Sequence, residues 1–481
     1  MLARRSGLAI LNAMSKAPRQ PLAIALLVAG AFFMENLDGT VIATALPQMA
    51  ESFRASPVSL NIGMTAYMLT LAVFIPMSGW VADRFGARTV FGSAIGIFTA
   101  SSVLCGLSNG LLEFTAARVI QGIGGAMMVP VGRLVVLRST EKQHLLRSIS
   151  YIVWPGLVAP VLGPPVGGFI TTYASWRWIF FLNVPLGLLG IALTAMLISN
   201  ELTRHIRPFD WLGFLYCGTA CTALMYGLEL VGERPTPWPE ISFFLLLSVV
   251  MSLLLVGHSS THPSPLIDFS PMQIRTFAVT MWGGSLFRIS ISVIPFLLPL
   301  LFQIGFGLDA FTSGLLVLSV FAGNLGMKTA TTPVIRRFGF RKVLIGNGLL
   351  TVASLIACAF LTADTPRILT VAVLFFGGLC RSMQFTALNT LGFADIPSDQ
   401  MSSATTLSSM IQQMTMGMGV AAGAIALRVG AILRGAHPAD LTVMDFHIAF
   451  ALVGALALLS VFDFLGLDAS AGAIVSGHEK A

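Results

Sequence analysis

Glu35 and Asp38 stand one helical turn apart in the stretch MENLDGTVIATALP, inside an otherwise apolar run. Four cations lie in similar surroundings farther along the chain: Arg118, Arg288, Lys328 and Arg381. A charge at the centre of a membrane helix costs about 2.5–3.5 kcal/mol. Six of them together rival or exceed the net stability of a typical domain, about 5–15 kcal/mol. Side chains that expensive pair, line water or do chemistry. The chemistry open to an acid beside an arginine is proton exchange. Burial makes a carboxyl hold its proton, and a neighbouring guanidinium makes it let go. An acid whose distance from an arginine changes between two conformations therefore binds and releases a proton once per cycle. Asp38 is eight residues from the outer end of its apolar run and Arg118 seven from the outer end of its own. At 1.5 Å per residue both sit roughly 10–12 Å deep, where they can meet. The other reading of the pair is a static bridge that only ties two helices together.

The remaining polar residues in apolar runs extend this picture. Gln121 and Gly122 follow Arg118 at i+3 and i+4, so that helix face is polar and open to close approach. Glu35 is either a helper in proton uptake, a partner for a cationic substrate, or a packing acid. Arg288 and Arg381 each lie about fourteen residues into their runs, near mid-membrane. Lys328, five residues from Pro333, reads equally as a cavity residue and as a side chain that snorkels to the surface. Once Asp38 is protonated the cations outnumber the acids, and a cavity of that sign favours an anion. Gln384 and Met414 complete the candidate cavity lining. Met410, Met414, Met416 and Met418, with Phe385, form either an adaptable apolar wall or ordinary helix packing.

The elements that position these residues follow from composition. The chain has 481 residues, 55% of them hydrophobic and only 10% charged, with a mean hydropathy of +0.84. Soluble domains carry roughly 25% charged residues, so this is an all-α integral membrane protein. Runs of about 20 apolar residues occur fourteen times: 21–46, 58–81, 89–108, 111–137, 148–173, 177–199, 209–231, 240–257, 274–303, 311–334, 342–362, 367–392, 402–432 and 446–467, numbered here as spans 1 to 14. With the N-terminus cytoplasmic, seventeen Lys and Arg fall in inside segments and six in outside loops, which places both termini inside. The net charge of +7 is then inside-loop charge facing anionic lipid, not a nucleic-acid surface. The first apolar run is too long and too acidic for a cleaved secretory signal and reads as a retained span. All five cysteines fall within spans and read as small buried apolar residues rather than disulfides.

The loop after span 2 reads ADRFGARTV and the one after span 10 reads IRRFGFRKV. Arg84 and Arg88 match Arg337 and Arg341 at an offset of 253 residues. Two six-helix bundles with two inserted helices account for this repeat. The division expected is 1–20 cytoplasmic segment, 21–200 N-terminal bundle, 201–258 two linking helices, 259–273 cytoplasmic linker, 274–467 C-terminal bundle and 468–481 cytoplasmic tail. Repeats related through the membrane are the architecture of a secondary transporter, with substrate bound at mid-membrane between them.

Five motifs in order, LDGTVIATALP, GWVADRFGARTV, RVIQGIGGAMMVPVGR, GLVAPVLGPPVGGFI and SWRWIFFLNVPLG, resemble the major facilitator superfamily, specifically its fourteen-span drug:proton antiporter branch. The resemblance covers essentially the whole chain and implies the major facilitator fold. It gives Asp38 the place of the first-span acid and Arg118 that of the proton-linked arginine. Gly79, Asp83, Arg84, Gly86 and Arg88 take the loop-motif positions that latch the two bundles at their cytoplasmic ends, with Arg337 and Arg341 as the second-half counterparts. Arg336 replaces the acid at the position matching Asp83, so the latch is expected to be asymmetric. Gly163, Pro164, Gly167 and Gly168 take the antiporter-motif positions of span 5. Glu35 is outside the signature.

The resemblance implies a proton-coupled antiporter in the plasma membrane, the bacterial inner membrane, exporting amphipathic drugs; the basic cavity keeps open export of organic anions such as citrate or a metal–carboxylate complex. No lysine follows a glycine, so there is no phosphate-cradling loop, and the seven histidines contain no HExxH pair. An ATP-driven pump and an enzyme are thereby disfavoured, and a channel by the two-bundle repeat. No cofactor, nucleotide or nucleic acid is expected, and the working unit is expected to be a monomer in lipid that handles a small molecule and protons. No metal is expected either: His258 and His262 are one turn apart, but HSSTHPSP reads as a cytoplasmic linker.

Overall fold

The computed structural model describes residues 20–56, 59–139, 145–199, 208–231, 237–397, 400–435, 441–468 and 470–472. The expected N-terminal segment and most of the expected tail lie outside these. All regular structure among the described residues is helical. Among the described residues twelve helices are long and apolar enough to cross a membrane. They are Leu22–Thr44 (span 1), Asn61–Phe85 (span 2), Ala87–Leu107 (span 3), Leu111–Val136 (span 4), Arg177–Leu197 (span 6), Trp211–Leu230 (span 7), Trp238–Thr261 (span 8), Arg275–Gly305 (span 9), Lys328–Cys358 (span 11), Arg367–Gly392 (span 12), Ser403–Leu433 (span 13) and Val443–Leu465 (span 14). Helix Leu145–Tyr173 stands in the place of span 5 and the shorter helix Ala310–Gly326 in that of span 10.

The repeat extends beyond the five shared residues. Span 2 is interrupted by a 3-10 turn at Ile75–Met77, where Pro76 has no N–H to continue the ladder. Span 10 ends at Gly326 and a new helix starts at Lys328, so the break at Met327 matches Phe74 at the same offset of 253. The expected run 311–334 is thus two helices rather than one, and the helix assigned to span 11 starts fourteen residues before the expected 342. Apolarity alone concealed this, because a break in a helix need not interrupt a hydrophobic run. Gly86 (φ 85°, ψ 138°) and Gly339 (φ 74°, ψ 162°) make the sharp bend after each break. Only glycine takes such a conformation without strain.

Spans 1 to 6 pack on one another, with span 3 against spans 4 and 6, and span 1 against spans 4 and 5. Spans 9 to 14 form a second set, with span 9 against 13 and 14, and span 12 against 10 and 11. The sets meet along two seams, span 5 on span 10 and span 2 on span 13. Span 7 packs on span 8 and touches both spans 2 and 13. Its Glu229 accepts a hydrogen bond from Asn61 of span 2 (3.2 Å) and pairs with Arg428 of span 13 at 3.6 Å. Only 17% of the apolar window of span 8 is buried, so this helix presents most of its surface outward.

One apolar core joins the two sets at the end that the charge count places outside. It includes Val41, Leu46, Phe114 and Trp176 from the first set and Phe296, Leu297, Phe302 and Phe450 from the second. Gln303, in a π-turn at Leu301–Gly305 that closes span 9, donates to Thr44 O of span 1 (3.1 Å). Phe311 N donates to Thr172 Oγ1 (3.1 Å) across the span 5–span 10 seam. Towards the other end each set has its own core, around Phe91 and Val131 in the first and Phe340 and Leu344 in the second. The sets share one core at the outer end; towards the other end each keeps a core of its own, and they meet at the flank where Val73 of span 2 packs in a cluster with Met414 of span 13.

Candidate functional site

Asp38 sits at the centre of a buried polar cluster built from four helices. Its Oδ2 accepts Arg118 Nη1 at 2.6 Å. Its Oδ1 accepts Gln121 Nε2 at 3.1 Å and Asn183 Nδ2 at 2.9 Å. Arg118 Nη1 also donates to Gln121 Oε1 at 2.5 Å. Ser102 Oγ accepts from Gln121 (2.8 Å) and Asn183 (3.2 Å), closing the ring. Asp38 and Arg118 are 2% and 1% exposed, so neither charge is satisfied by bulk solvent. The guanidinium also lies over the Tyr67 ring at 4.6 Å, with Phe114 and Phe180 about 6 Å away. Shielded from bulk solvent, the two charges attract each other more strongly than at a surface, and that attraction offsets the cost of burying them. Taking away one partner of such a pair costs about 3–5 kcal/mol.

The depth argument thus brings Asp38 and Arg118 together, and Gln121 is oriented towards them as its i+3 position requires. Ser102, Asn183 and Tyr67 belong to the same cluster and were not singled out from sequence. Asn183 carried a signal, being a lone amide in the apolar stretch FFLNVPLG. Glu35 is buried, and its Oε2 has no hydrogen-bond partner among the described residues. The charges that act on it are Asp38 and Arg133. Arg133, also overlooked, lies over Phe32 at 5.8 Å.

The second half repeats the arginine without its acid. Arg381 and Gln384 are spaced as Arg118 and Gln121 are, and Gln384 is fully buried like Gln121. Gln384 bonds Asn347 (2.8 Å) and Leu344 O (3.0 Å) of span 11, so it ties two helices inside the C-terminal set instead of lining a space between the sets. Arg381 lies near the Phe321 ring (5.9 Å), and its Nη1 is buried without a partner among the described residues. Arg288 donates to Thr280 O (3.3 Å) and Asn389 Oδ1 (3.2 Å) and stands 5.9 Å from the Phe385 ring. Lys328 Nζ reaches Thr386 Oγ1 of span 12 at 3.0 Å, which points it inward and not along a snorkelling path. Met414 is buried in an apolar cluster with Val73 of span 2 and Cys217 of span 7, so it packs the flank. Neither Gln384 nor Met414 was readable as packing from its type alone.

At the separately packed end, Arg84 is exposed and Arg88 half-buried. Among the described residues no hydrogen bond joins either to the second set. Asp83 is half-buried and Gly79 exposed. Arg337 is exposed beside Phe338. Arg341 donates to Leu465 O (3.1 Å) and Arg275 to Gly466 O (2.6 Å), two cations on the negative end of span 14. The span 5 motif has two faces. A side chain at Gly163 would meet Thr40, and one at Gly167 would lie 2.5 Å from Thr44 Oγ1 and 2.6 Å from Val41 O, both on span 1. One at Gly168 would strike the Ala310 carbonyl and come within 2.9 Å of Phe311 Cα on span 10, and one at Gly314 of span 10 would strike the Pro164 carbonyl. The motif therefore holds span 1 with one face and the opposite set with the other.

Residues 24–420 match the model of the Major Facilitator Superfamily. The chain is 38% identical over 398 residues to the "Putative multidrug resistance protein MdtD" of Escherichia coli O6:H1, covering 82% of this chain and 83% of that one. It is 37% identical over 461 residues to the protein of the same name from Cronobacter sakazakii, covering 95% and 97%. Among solved structures it resembles a D-xylose–proton symporter (TM-score 0.68, 14% identity, 94% of this chain and 98% of that one) and the nucleoside transporter NupG (TM-score 0.59, 13% identity, 93% and 98%). With its all-helical spans, paired bundles and buried ion pair, the chain belongs to the major facilitator superfamily and is a multi-pass membrane transporter, not an enzyme.

Proposed function

We propose that this chain is a proton-coupled antiporter that exports amphipathic drugs across the bacterial inner membrane, with both termini in the cytoplasm. The observation that carries the reading is the Asp38–Arg118 pair, held at 2.6 Å in a buried ring of amides and aromatics. Two relatives bearing a multidrug-resistance name support the substrate class. A proton arriving on Asp38 cancels its charge, and Arg118 then holds only Gln121 and the Tyr67 face. The loss of about 3–5 kcal/mol is of the size needed to move a two-state equilibrium most of the way across, about 5.5 kcal/mol for 1:99 to 99:1. Gln121 and Asn183 keep Asp38 Oδ1 hydrogen-bonded in either state, and Oδ2, which faces Arg118, is the oxygen that takes the proton. Gly168 and Gly314 let the two bundles close tightly at the outer end between strokes.

A second reading, export of an organic anion, is favoured by Arg381 and Arg288, which no carboxylate pairs among the described residues. Flux into liposomes under an imposed pH gradient separates the two. Gradient-driven movement of a cationic dye, abolished by Asp38→Asn and surviving Arg381→Ala, supports drug export. Movement of a carboxylate alone, abolished by Arg381→Ala, supports anion export. Flux indifferent to the gradient and to Asp38 overturns proton coupling.

A further inference from the structure

The junction of span 7, span 8 and the following linker holds a polar cluster separate from the ring around Asp38. Asp210 caps span 7, its Oδ1 accepting the N–H of Gly213 at 2.8 Å. The same oxygen lies 2.7 Å from Nε2 of His258, in the last turn of span 8. Its Oδ2 accepts the N–H of Leu266 from the linker at 3.0 Å. The ring of His262, one turn beyond, lies 4.9 Å from that of His258. Its Nδ1 accepts the N–H of Ser264 at 3.2 Å. One ligand atom from each of Asp210, His258 and His262 lies within 4.8 Å of the other two.

We propose that Asp210, His258 and His262 form a site for a divalent transition metal of the zinc or cobalt kind, clipping spans 7 and 8 to the linker. Two imidazoles and a carboxylate are a zinc donor set that leaves a fourth position for water. Bonds of roughly 2.0–2.2 Å put tetrahedral ligands about 3.5 Å apart, so the closure needed is within the reach of side-chain rotation. The i, i+4 spacing sets both rings on one helix face. The Gly213 and Leu266 N–H groups fix the carboxylate from behind, as outer hydrogen bonds do for metal-bound carboxylates. A carboxylate offers about four acceptor sites, and the one facing His258 is the one a cation would take. For a metal to take His258 Nε2, the hydrogen now between His258 and Asp210 moves to Nδ1 of the same ring, so that the neutral imidazole is the ligand. The HSSTHPSP stretch concealed the site because its third ligand lies 48 residues before His258.

The test uses the full chain purified in detergent, freed of any affinity tag and stripped of metal, then titrated with Co2+. The readouts are the visible absorption of tetrahedral cobalt and the number of ions held per chain. We expect one Co2+ per chain, displaced by Zn2+. His262→Ala and Asp210→Asn are expected to weaken binding tenfold or more, and His447→Ala to leave it unchanged. Asparagine caps helices as well as aspartate, so Asp210→Asn keeps the fold while removing the anionic ligand, and a single symmetric peak on gel filtration checks this. Equal binding by all variants, or an absorption no stronger than that of Co2+ in buffer, overturns the proposal.

Discussion

Replacing Gly168 by alanine places one methyl group at the seam where span 5 meets span 10. That methyl would strike the Ala310 carbonyl and lie 2.9 Å from Phe311 Cα. Carbon atoms in comfortable contact are about 3.5–4.0 Å apart, so the helices must part by roughly an ångström. Both obstacles are backbone, so no side-chain rotation relieves them. Overpacking of this kind costs about 1–3 kcal/mol, a 5- to 150-fold shift against the sealed state. The shift is readable as a distance between spin labels on Glu51→Cys and Ala363→Cys, exposed positions at the sealed end of opposite sets. The five native cysteines are buried and do not compete for label. The ratio of long to short distances is expected to rise by that factor in Gly168→Ala. Gly346→Ala is the control, since nothing lies within 4 Å of its added methyl. A wild-type distance distribution in Gly168→Ala, or the same change in both variants, refutes the reasoning.

Asn183→Leu removes a donor from Asp38 and from Ser102 at a cost of about 1–3 kcal/mol; the pH profile of transport is expected to move while the chain remains folded, and an unmoved profile counts against a role for Asn183. Gly86→Ala and Gly339→Ala each force a residue with a side chain into a glycine-only conformation, for about 1–3 kcal/mol. Thermal unfolding in detergent should show both variants less stable, and Gly346→Ala, whose methyl meets nothing within 4 Å, unharmed. Glu229→Gln weakens the tie to Arg428 by up to about 1 kcal/mol, so in the spin-label assay it should favour the open outer end slightly, where Gly168→Ala favours it strongly.

The helical course of the chain was legible because hydrocarbon demands runs of about twenty apolar residues, and these are written directly in composition. The Asp38–Arg118 pair was legible because depth along a helix is countable. Partners set by rotation about the helix axis were not. Gln121 and Gln384 occupy equivalent places, yet the former meets an acid and the latter a neighbouring helix, and the difference lies in residues of other spans. Met414 could face a cavity or a flank with equal apolarity. The Met327 break escaped notice because the apolar stretch before it runs into KTATTPVI with no turn signature at the break itself. Asp210 and His258 illustrate the general limit, since spacing rules work within a helix and say nothing of what the linker folds back to meet.

Among the described residues span 7 packs along the seam of spans 2 and 13, with Glu229 bonded to each. The transporter therefore has two unequal flanks. On the span 7 side a strap lies between the seam and the lipid, so an amphipathic molecule dissolved in the bilayer finds that approach covered. On the other side span 5 meets span 10 through glycines and carbonyls. The flank without a strap is closed instead by backbone-close packing at Gly168 and Gly314, so each flank is shut by a different means.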